Sequence, residues 1–148
     1  MKSYFKCTVR FTETADNGMD KKSSEEYVID AMTYTEAEAV INDYVKDYNM
    51  RDMEIDIAKY KVEEVIESSF QNFYKLTYDE LMMDEVSGTE KRKSHSVLIM
   101  SDSVMGALDK FNGYTKGWVV DFEVVAVKRE KRMICYIPGD GEKGEDSK

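Results

Sequence analysis

An internal repeat is the feature of this sequence that most limits the folds open to it. Tyr4–Thr8 (Tyr-Phe-Lys-Cys-Thr) aligns with Phe73–Thr77 (Phe-Tyr-Lys-Leu-Thr), and each segment leads into a polar turn that contains Gly18 or Gly88. A basic cluster, a short apolar strand, a hydroxyl residue and a helical pattern then follow in the same order in both copies. Such self-similarity predicts two copies of one supersecondary unit.

Local signals assign each part of the repeat. Asn17-Gly18 is a strong β-hairpin signal because both residues tolerate a positive φ. Thr35–Glu38 has the hydroxyl-to-glutamate spacing of a capping box, and apolar residues at helical spacing follow it. Strands at 53–62 and 119–127 close the two copies. The sequence therefore predicts an α+β fold made from a duplicated β-β-α-β unit, with mostly antiparallel sheet or sheets and two helices packed on one side.

The two closing strands differ in their apolar pattern. Met53, Ile55 and Ile57 alternate with charged residues, as in a strand with one buried face. The stretch 119–127 is denser in valine, which is typical of a strand buried on both faces and predicts a more central place for the second copy. The pattern leaves open whether the two copies bury their apolar faces against each other or join edges into one sheet.

The repeat also sets the expected domain limits. We predict one domain over residues 1–137, with repeat one at about 3–66 and repeat two at about 72–132. The link between them, 62–71, either extends the preceding strand or forms a short helical turn. Residues 138–148 contain three glycines and four acids but no apolar residue, which predicts a disordered acidic tail.

Charge and cysteine usage limit the classes of function. The formal net charge of −9 and the pI of about 4.7 exclude a generic DNA binder driven by overall charge, but not a local basic face. Cys7 and Cys135 lack metal-ligand spacing and are expected to be free thiols in a reducing compartment. The absence of a signal-peptide pattern and of a long apolar span predicts a cytoplasmic protein without a membrane partner.

Four segments together carry a resemblance to a known family. Tyr4–Val9, the post-turn lysines before Tyr27-Val28, Thr33–Ala39 and Val120–Val124 resemble an uncharacterised family, a domain of unknown function, of Bacteroidota and their phages. The resemblance covers nearly the whole chain ahead of the acidic tail, in which this sequence departs from the family. It carries over no activity, cofactor or catalytic residue. It implies a phage or mobile-element accessory protein, acting in the host cytoplasm if phage-encoded.

Signatures of catalysis are sparse. His95 comes after a basic cluster at the expected start of a strand, which predicts an exposed surface histidine rather than a catalytic base. Clustered carboxylates near the second hairpin and in the link fit a solvated face and match no calcium-loop pattern. Phosphate-binding glycine motifs are absent, so we predict no metal and no cofactor. The pattern disfavours an enzyme without excluding one.

Basic residues at matching positions in the two copies suggest a binding role. They follow the two hairpin turns and the last strand of the second copy: Lys21, Lys22, Lys91, Arg92, Lys93, Lys128 and Arg129. Together with tyrosines on a groove floor, such residues would track a single strand of nucleic acid, with the acidic tail competing for the groove. Lysines at hairpin tips also protect edge strands from aggregation, which needs no ligand.

Two other functions fit the same residues. The chain could act as an anti-defence or host-takeover protein that sequesters a host protein or a small nucleotide. It could instead be a virion or scaffold component, and the pattern is compatible with a homo-oligomer. The partner, protein or single-stranded nucleic acid, is left undecided by the sequence.

Overall fold

The computed structural model describes residues 3–139 and confirms the α+β fold. Two helices and eight strands lie within these residues, and they follow the predicted β-β-α-β order twice. One further short strand follows the third strand of each repeat. The elements are β1 (Tyr4–Thr14), β2 (Asp20–Asp30), α1 (Tyr34–Val45), β3 (Arg51–Tyr60), β4 (Val65–Ile66), β5 (Asn72–Met83), β6 (Glu90–Ser101), α2 (Val104–Tyr114), β7 (Asp121–Arg129) and β8 (Met133–Ile137).

The strands form two mixed four-stranded sheets of the same topology. The first has the order β3-β1-β2-β8 and the second has the equivalent order β7-β5-β6-β4. Within each sheet the three long strands are antiparallel, as the hairpin signals predict, while the short fourth strand is parallel to its neighbour. Each repeat therefore builds its own sheet.

The fourth strand of each sheet follows, in sequence, the third strand of the other repeat. Strand β8, which follows the second repeat, pairs with β2, and β4, which follows β3, pairs with β6. The second compact unit is accordingly Val62–Lys131, and the first takes its described residues from 3–61 and 132–139. Residues 62–66, which the repeat alignment assigns to the first copy, thus belong to the second unit.

A helix covers one face of the first sheet. Alternate residues of β1 and β2 turn to the same face because successive side chains of a strand point to opposite sides. Their apolar side chains pack against Ala37, Ile41 and Val45 of α1 in one buried cluster. The second unit repeats this packing with Ala107 and Phe111 of α2. Burial of one sheet face under a helix therefore accounts for each core.

The first helix is capped two residues earlier than the sequence predicts. Thr33, rather than Thr35, is the N-cap, and its Oγ1 accepts a hydrogen bond from the Glu36 amide at 3.1 Å. The Glu36 carboxylate in turn accepts from the Met32 amide at 3.4 Å. Both threonines precede a glutamate by three residues, so local spacing alone does not distinguish them. In α2, Ser103 caps the Gly106 amide in the same way at 2.9 Å.

The prediction of a doubly buried closing strand in the second copy is wrong. Strand β7 lies at the edge of its sheet, and Val119, just before it, is 97% exposed. Val125 is also exposed because the pairing with β5 shifts between Ala126 and Val124, which leaves Val125 as the extra residue of a bulge. An apolar run does not reveal whether a second layer covers the strand, so edge position is decided by the tertiary structure.

Two further expectations concern membrane-spanning helices and the acidic tail. Neither helix in the described part of the chain is long and apolar enough to cross a membrane. Of the predicted acidic tail, residues 140–148 lie outside the described residues, so the expected disorder remains a prediction.

The two cysteines are free thiols in different environments, and their reactivity tests the first core. Cys7 is fully buried and burial raises its pKa to about 11, whereas Cys135 is partly exposed. Because the thiolate is the reactive form, we expect the native protein to react with a chromophoric disulfide at one thiol, and the unfolded protein at two. The Cys135→Ser variant should show no rapid reaction until it unfolds. Rapid labelling of native Cys135→Ser would contradict the buried position of β1.

Candidate functional site

A polar cavity of about 610 Å³ lies in the first unit. This volume is in the range of small-molecule binding sites. Register places Arg10 of β1 beside Ser24 of β2 and Glu54 of β3, so these side chains share one face of the sheet. The lining residues are Arg10, Phe11, Lys21, Lys22, Ser23, Ser24, Asp52, Glu54 and Arg132. Strands β1, β2 and β3 and the segment before β8 all contribute to this cavity.

Three of the four cations in the cavity are not neutralised by a carboxylate. Lys22 Nζ donates to Thr12 Oγ1 at 3.2 Å, and Arg132 Nη1 donates to Ser24 Oγ at 3.2 Å. Within residues 3–139, Lys21, Lys22 and Arg132 form no ion pair. Arg10 is the exception, since its Nη1 pairs with Asp56. The cavity therefore holds positive charge that the described protein leaves uncompensated.

Arg132 reaches the cavity through the pairing of β8. Its carbonyl oxygen accepts a hydrogen bond from the Glu26 amide at 2.9 Å, one residue before β8 begins. Met133, the next residue, is only 3% exposed and anchors the strand in the first unit. A residue from after the second repeat thus completes a site on the sheet of the first repeat. Arg132 was not among the binding residues predicted from sequence, because its pairing with β2 is a long-range contact.

The acidic side of the cavity contains a strained residue. Asp52 has a φ of 52°, in the left-handed region that non-glycine residues rarely adopt, although aspartate tolerates it better than most. It lies at a bulge where the register between β1 and β3 shifts beside Phe11. Asp52 and Glu54 form no ion pair among the described residues. Backbone strain of this kind concentrates at functional sites.

The equivalent basic residues of the second repeat are in ion pairs. Arg92, which aligns with Lys22, contacts Glu123 at 2.7 Å and Asp79 at 3.3 Å, and these bonds raise its pKa. Lys91 contacts the Asp84 carboxylate at 3.2 Å, and backbone amides together with this lysine lower the pKa of Asp84. The repeat alignment puts Asp79 where the first copy has Arg10. The corner formed by Arg10 and Lys22 in the first copy, and by Asp79 and Arg92 in the second, therefore differs in charge at one of its two positions.

The remaining predicted basic residues lie apart from this corner. Lys91 pairs with Met82 in the register of β5, whereas Lys128 pairs with Lys75. Seven residues of strand separate these positions, about 23 Å at the rise of a β-strand. Arg129 beside Lys128 donates to Asn72 at 3.2 Å, and Lys93 lies opposite Glu80 on the exposed part of β6. The structure therefore brings Lys21 and Lys22 together with two further arginines, but divides the second-copy set.

Tyrosines do not form the floor of this cavity. Its one aromatic lining residue is Phe11. Tyr4, Tyr27, Tyr74 and Tyr78 are instead buried, each with at most 6% exposure. Base stacking on tyrosines, which the sequence hypothesis invoked, therefore has no support from the lining of the cavity.

The prediction of an exposed surface histidine at position 95 is wrong. The His95 side chain is 12% exposed, its Nε2 is 3.0 Å from a Glu80 oxygen, and its Nδ1 contacts Glu63. The imidazole also stacks on Tyr78, with ring centroids 5.1 Å apart. Val97 belongs to the second core, so His95, two residues earlier on β6, faces the same side. The alternation of side chains along β6, combined with the hairpin register, is the sequence signal that shows His95 on the inward face.

The histidine and its neighbours form a polar cluster that stabilises the second unit. A neutral imidazole donates one hydrogen bond, whereas an imidazolium donates to both carboxylates at once. Burial, and then the charges of Glu63 and Glu80, raise the pKa of Tyr78 to about 12. No group of three or more His, Cys, Asp or Glu residues in the described chain has an arrangement that could hold a metal ion. Both ring nitrogens of His95 are engaged by carboxylates.

Replacement of His95 by alanine tests this stabilising role. We expect His95→Ala to lower the free energy of unfolding by about 1–3 kcal/mol, because it removes contacts to two carboxylates and leaves Glu80 partly buried without its partner. Urea unfolding followed by the fluorescence of Trp118, whose ring lies 5.8 Å from Tyr78, reports directly on this region. Ser94→Ala, at an exposed neighbouring position, should change stability by less than about 0.5 kcal/mol. Equal stability of the two variants would contradict the role.

Comparison with known proteins adds a family but no activity. A family model described as a domain of unknown function, DUF4494, matches residues 3–137, which span both repeats and β8. No curated protein and no solved structure matches the chain. The resemblance to an uncharacterised family is thereby confirmed.

Proposed function

Because the chain belongs to the DUF4494 family, a domain of unknown function, we propose a function from its site: a non-enzymatic binding protein for single-stranded nucleic acid. Its binding site is the cavity of the first sheet. The single observation that supports this function is the set of three cations, Lys21, Lys22 and Arg132, that line one cavity without ion pairs among the described residues. The proposal includes an accessory role in phage or mobile-element nucleic-acid metabolism, which was the expectation from the sequence.

Phosphate is the ligand group that best compensates these cations. Like charges held in one cavity repel each other, and an anion between them converts that repulsion into attraction. Arg132 offers a planar fork of N–H donors suited to a phosphate, while Lys22, which shares a sheet face with Ser24, acts as a point charge. Lys21, whose side chain leaves the other face of β2, adds its charge from a longer distance. The Ser24 hydroxyl accepts from Arg132 and keeps its own proton to donate beside them, whereas the Ser23 hydroxyl donates to Glu13. A phosphodiester fits this combination of groups.

A single strand suits the site better than a duplex. The protein as a whole is strongly acidic, with a net charge of −9, and repels a polyanion in proportion to the charge density of that polyanion. A duplex has one charge for about every 1.7 Å of its axis and is repelled more than a single strand. A flexible strand can also place one nucleotide in a cavity, which a stacked and paired base cannot do.

The size of the cavity favours a second candidate function. A volume of about 610 Å³ would also enclose one free nucleotide. The chain would then sequester a small nucleotide, as an anti-defence or host-takeover protein does, through the same phosphate contacts. Competition between a strand and a mononucleotide distinguishes the two functions.

Neutralising the cavity lysines tests the proposed site. We expect the Lys21→Gln/Lys22→Gln double variant to weaken binding of a labelled single-stranded oligonucleotide by roughly tenfold or more, since two phosphate contacts are lost. The slope of log affinity against log salt should fall by about one to two. Fluorescence anisotropy across a salt series measures both quantities. The matched control is Lys91→Gln/Lys93→Gln, which changes the net charge equally at the second hairpin and should alter affinity by less than about threefold.

Three results would overturn parts of this assignment. No binding by the unaltered chain would contradict the nucleic-acid function. Equal weakening by the two double variants would show that overall charge, not the cavity, determines affinity. Complete displacement of the strand by an equal concentration of a mononucleotide would replace the first candidate function with the second.

The position of β8 defines how the acidic tail can affect the cavity. Gly139 lies beside Asp30, at the opposite end of β2 from Lys22. Lys22 and Asp30 are eight residue steps apart on β2, a distance of about 26 Å. The start of the tail therefore lies far from the lysines of the cavity. Long-range repulsion of the ligand is the simpler mode of action.

Removal of the tail tests this mode. A chain that ends at Ile137 should bind the oligonucleotide a few times more tightly at low salt, and equally at physiological salt, because charges are screened beyond about 8 Å there. Anisotropy of both chains at the two salt concentrations gives the comparison, and replacement of the tail carboxylates by amides is the control for chain length. A gain that persists at physiological salt would show that the tail instead occupies the cavity.

A further inference from the structure

The cavity has a cationic side and an acidic side. Lys21 and Lys22 on β2, with Arg132 just before β8, form the cationic side, whereas Asp52 and Glu54 on β3 form the acidic side. Strand β1 separates β2 from β3, so the two sides are about 10 Å apart at the spacing of neighbouring strands. Between them lies Arg10, which is paired with Asp56. Neither side neutralises the other.

Two carboxylates in a cavity for an anion require an explanation. Asp52 and Glu54 repel phosphate, so on a site that binds phosphate alone they reduce affinity. They form no ion pair or side-chain hydrogen bond within the described chain, and Asp52 keeps a strained left-handed backbone there. An ionised carboxylate accepts hydrogen bonds but donates none. The acidic side therefore suits a hydrogen-bond donor on the same ligand, a short distance from its phosphate.

We propose that the acidic side, through Glu54, accepts a hydrogen bond from a ribose 2′-hydroxyl, and that the cavity selects RNA over DNA. The 2′-hydroxyl is the donor that distinguishes the two nucleic acids at a given site, and acidic side chains are used for ribose hydroxyls in nucleotide-binding folds. With the phosphate over β2, the adjoining sugar extends across β1 towards β3. Because nucleic acid must first occupy the cavity, this selectivity rests on the function proposed above.

Glu54 is the better placed of the two carboxylates to accept a hydrogen bond from the ribose. It lies directly opposite Arg10, and Arg10 lies directly opposite Ser24, whose hydroxyl accepts from Arg132. These residues form one row across three strands on the same sheet face. Asp52 is beside this row at the bulge, where its left-handed backbone redirects the strand. We expect Glu54 to contribute most of the discrimination and Asp52 to position the acidic side.

The test compares one sequence in three chemical forms. Anisotropy is measured with single-stranded RNA, with the DNA of the same sequence, and with 2′-O-methyl RNA, which keeps the 2′-oxygen as an acceptor but cannot donate. We expect RNA to bind about tenfold more tightly than DNA, which is the effect of one charged hydrogen bond. The 2′-O-methyl strand should bind no better than DNA, because a carboxylate offers nothing to an acceptor.

Variants of the acidic side identify the residue responsible. Glu54→Gln should reduce the ratio of RNA to DNA affinity from about tenfold to about threefold, because the neutral amide oxygen still accepts from the 2′-hydroxyl but makes a weaker hydrogen bond than a carboxylate. It should also raise the affinity for DNA, since it removes a repulsive charge without changing the side-chain size. Glu38→Gln is the matched control, because it makes the same substitution at an exposed residue of α1 that forms no ion pair among the described residues and lies outside the lining of the cavity. It should leave the ratio of the two affinities unchanged.

The outcomes separate this inference from the proposed function. Equal binding of RNA and DNA by the unaltered chain, or a 2′-O-methyl strand that binds as tightly as RNA, would overturn ribose selection while leaving strand binding intact. A preference set by the base, seen as different affinities for oligocytidine and oligouridine with no effect of the sugar, would also overturn it. No binding of any strand would overturn both.

Discussion

Antiparallel pairing of the first two strands of each repeat is the constraint on which the rest of the structure depends. In the first unit it runs from Tyr4 opposite Asp30 to Thr14 opposite Asp20 without a break. This register decides which side chains turn towards the helix and which turn away, because a shift of one residue would exchange the two faces. Core formation under α1 and the assembly of polar groups on the hairpin are therefore consequences of the same set of backbone hydrogen bonds.

The two copies share this framework but differ in the charges that they carry at equivalent positions. At one corner the first repeat has Arg10 and Lys22, and the second has Asp79 and Arg92. Opposite charges compensate each other in the second copy, whereas the first copy retains cations that a ligand can compensate. Since exposed ion pairs contribute little stability, the exchange of one charge has a small effect on folding. On the proposed function, the same exchange leaves the binding site in the first copy alone.

Local sequence signals were sufficient to predict the helices and strands but not to predict what packs against them. Hairpin glycines, alternation and helical spacing predicted the order of strands and helices in both repeats. Lys21 and Lys22, proposed as binding residues from their place after the turn, line the cavity. His95 and the valines of the last repeat strand were placed wrongly, since exposure depends on what packs over a strand. Arg132 was missed because its pairing with β2 joins residues more than a hundred positions apart.

By itself the sequence determined the α+β class, the duplication and the strand directions within each hairpin, because these follow from interactions between residues close in the chain. Only the tertiary structure decided the exchange of β4 and β8 between the repeats, the edge position of β7 and the burial of His95. It also decided which charges remain unpaired around the cavity. These features depend on long-range contacts between short segments, and a segment such as Val65-Ile66 contains no local pattern that identifies its partner.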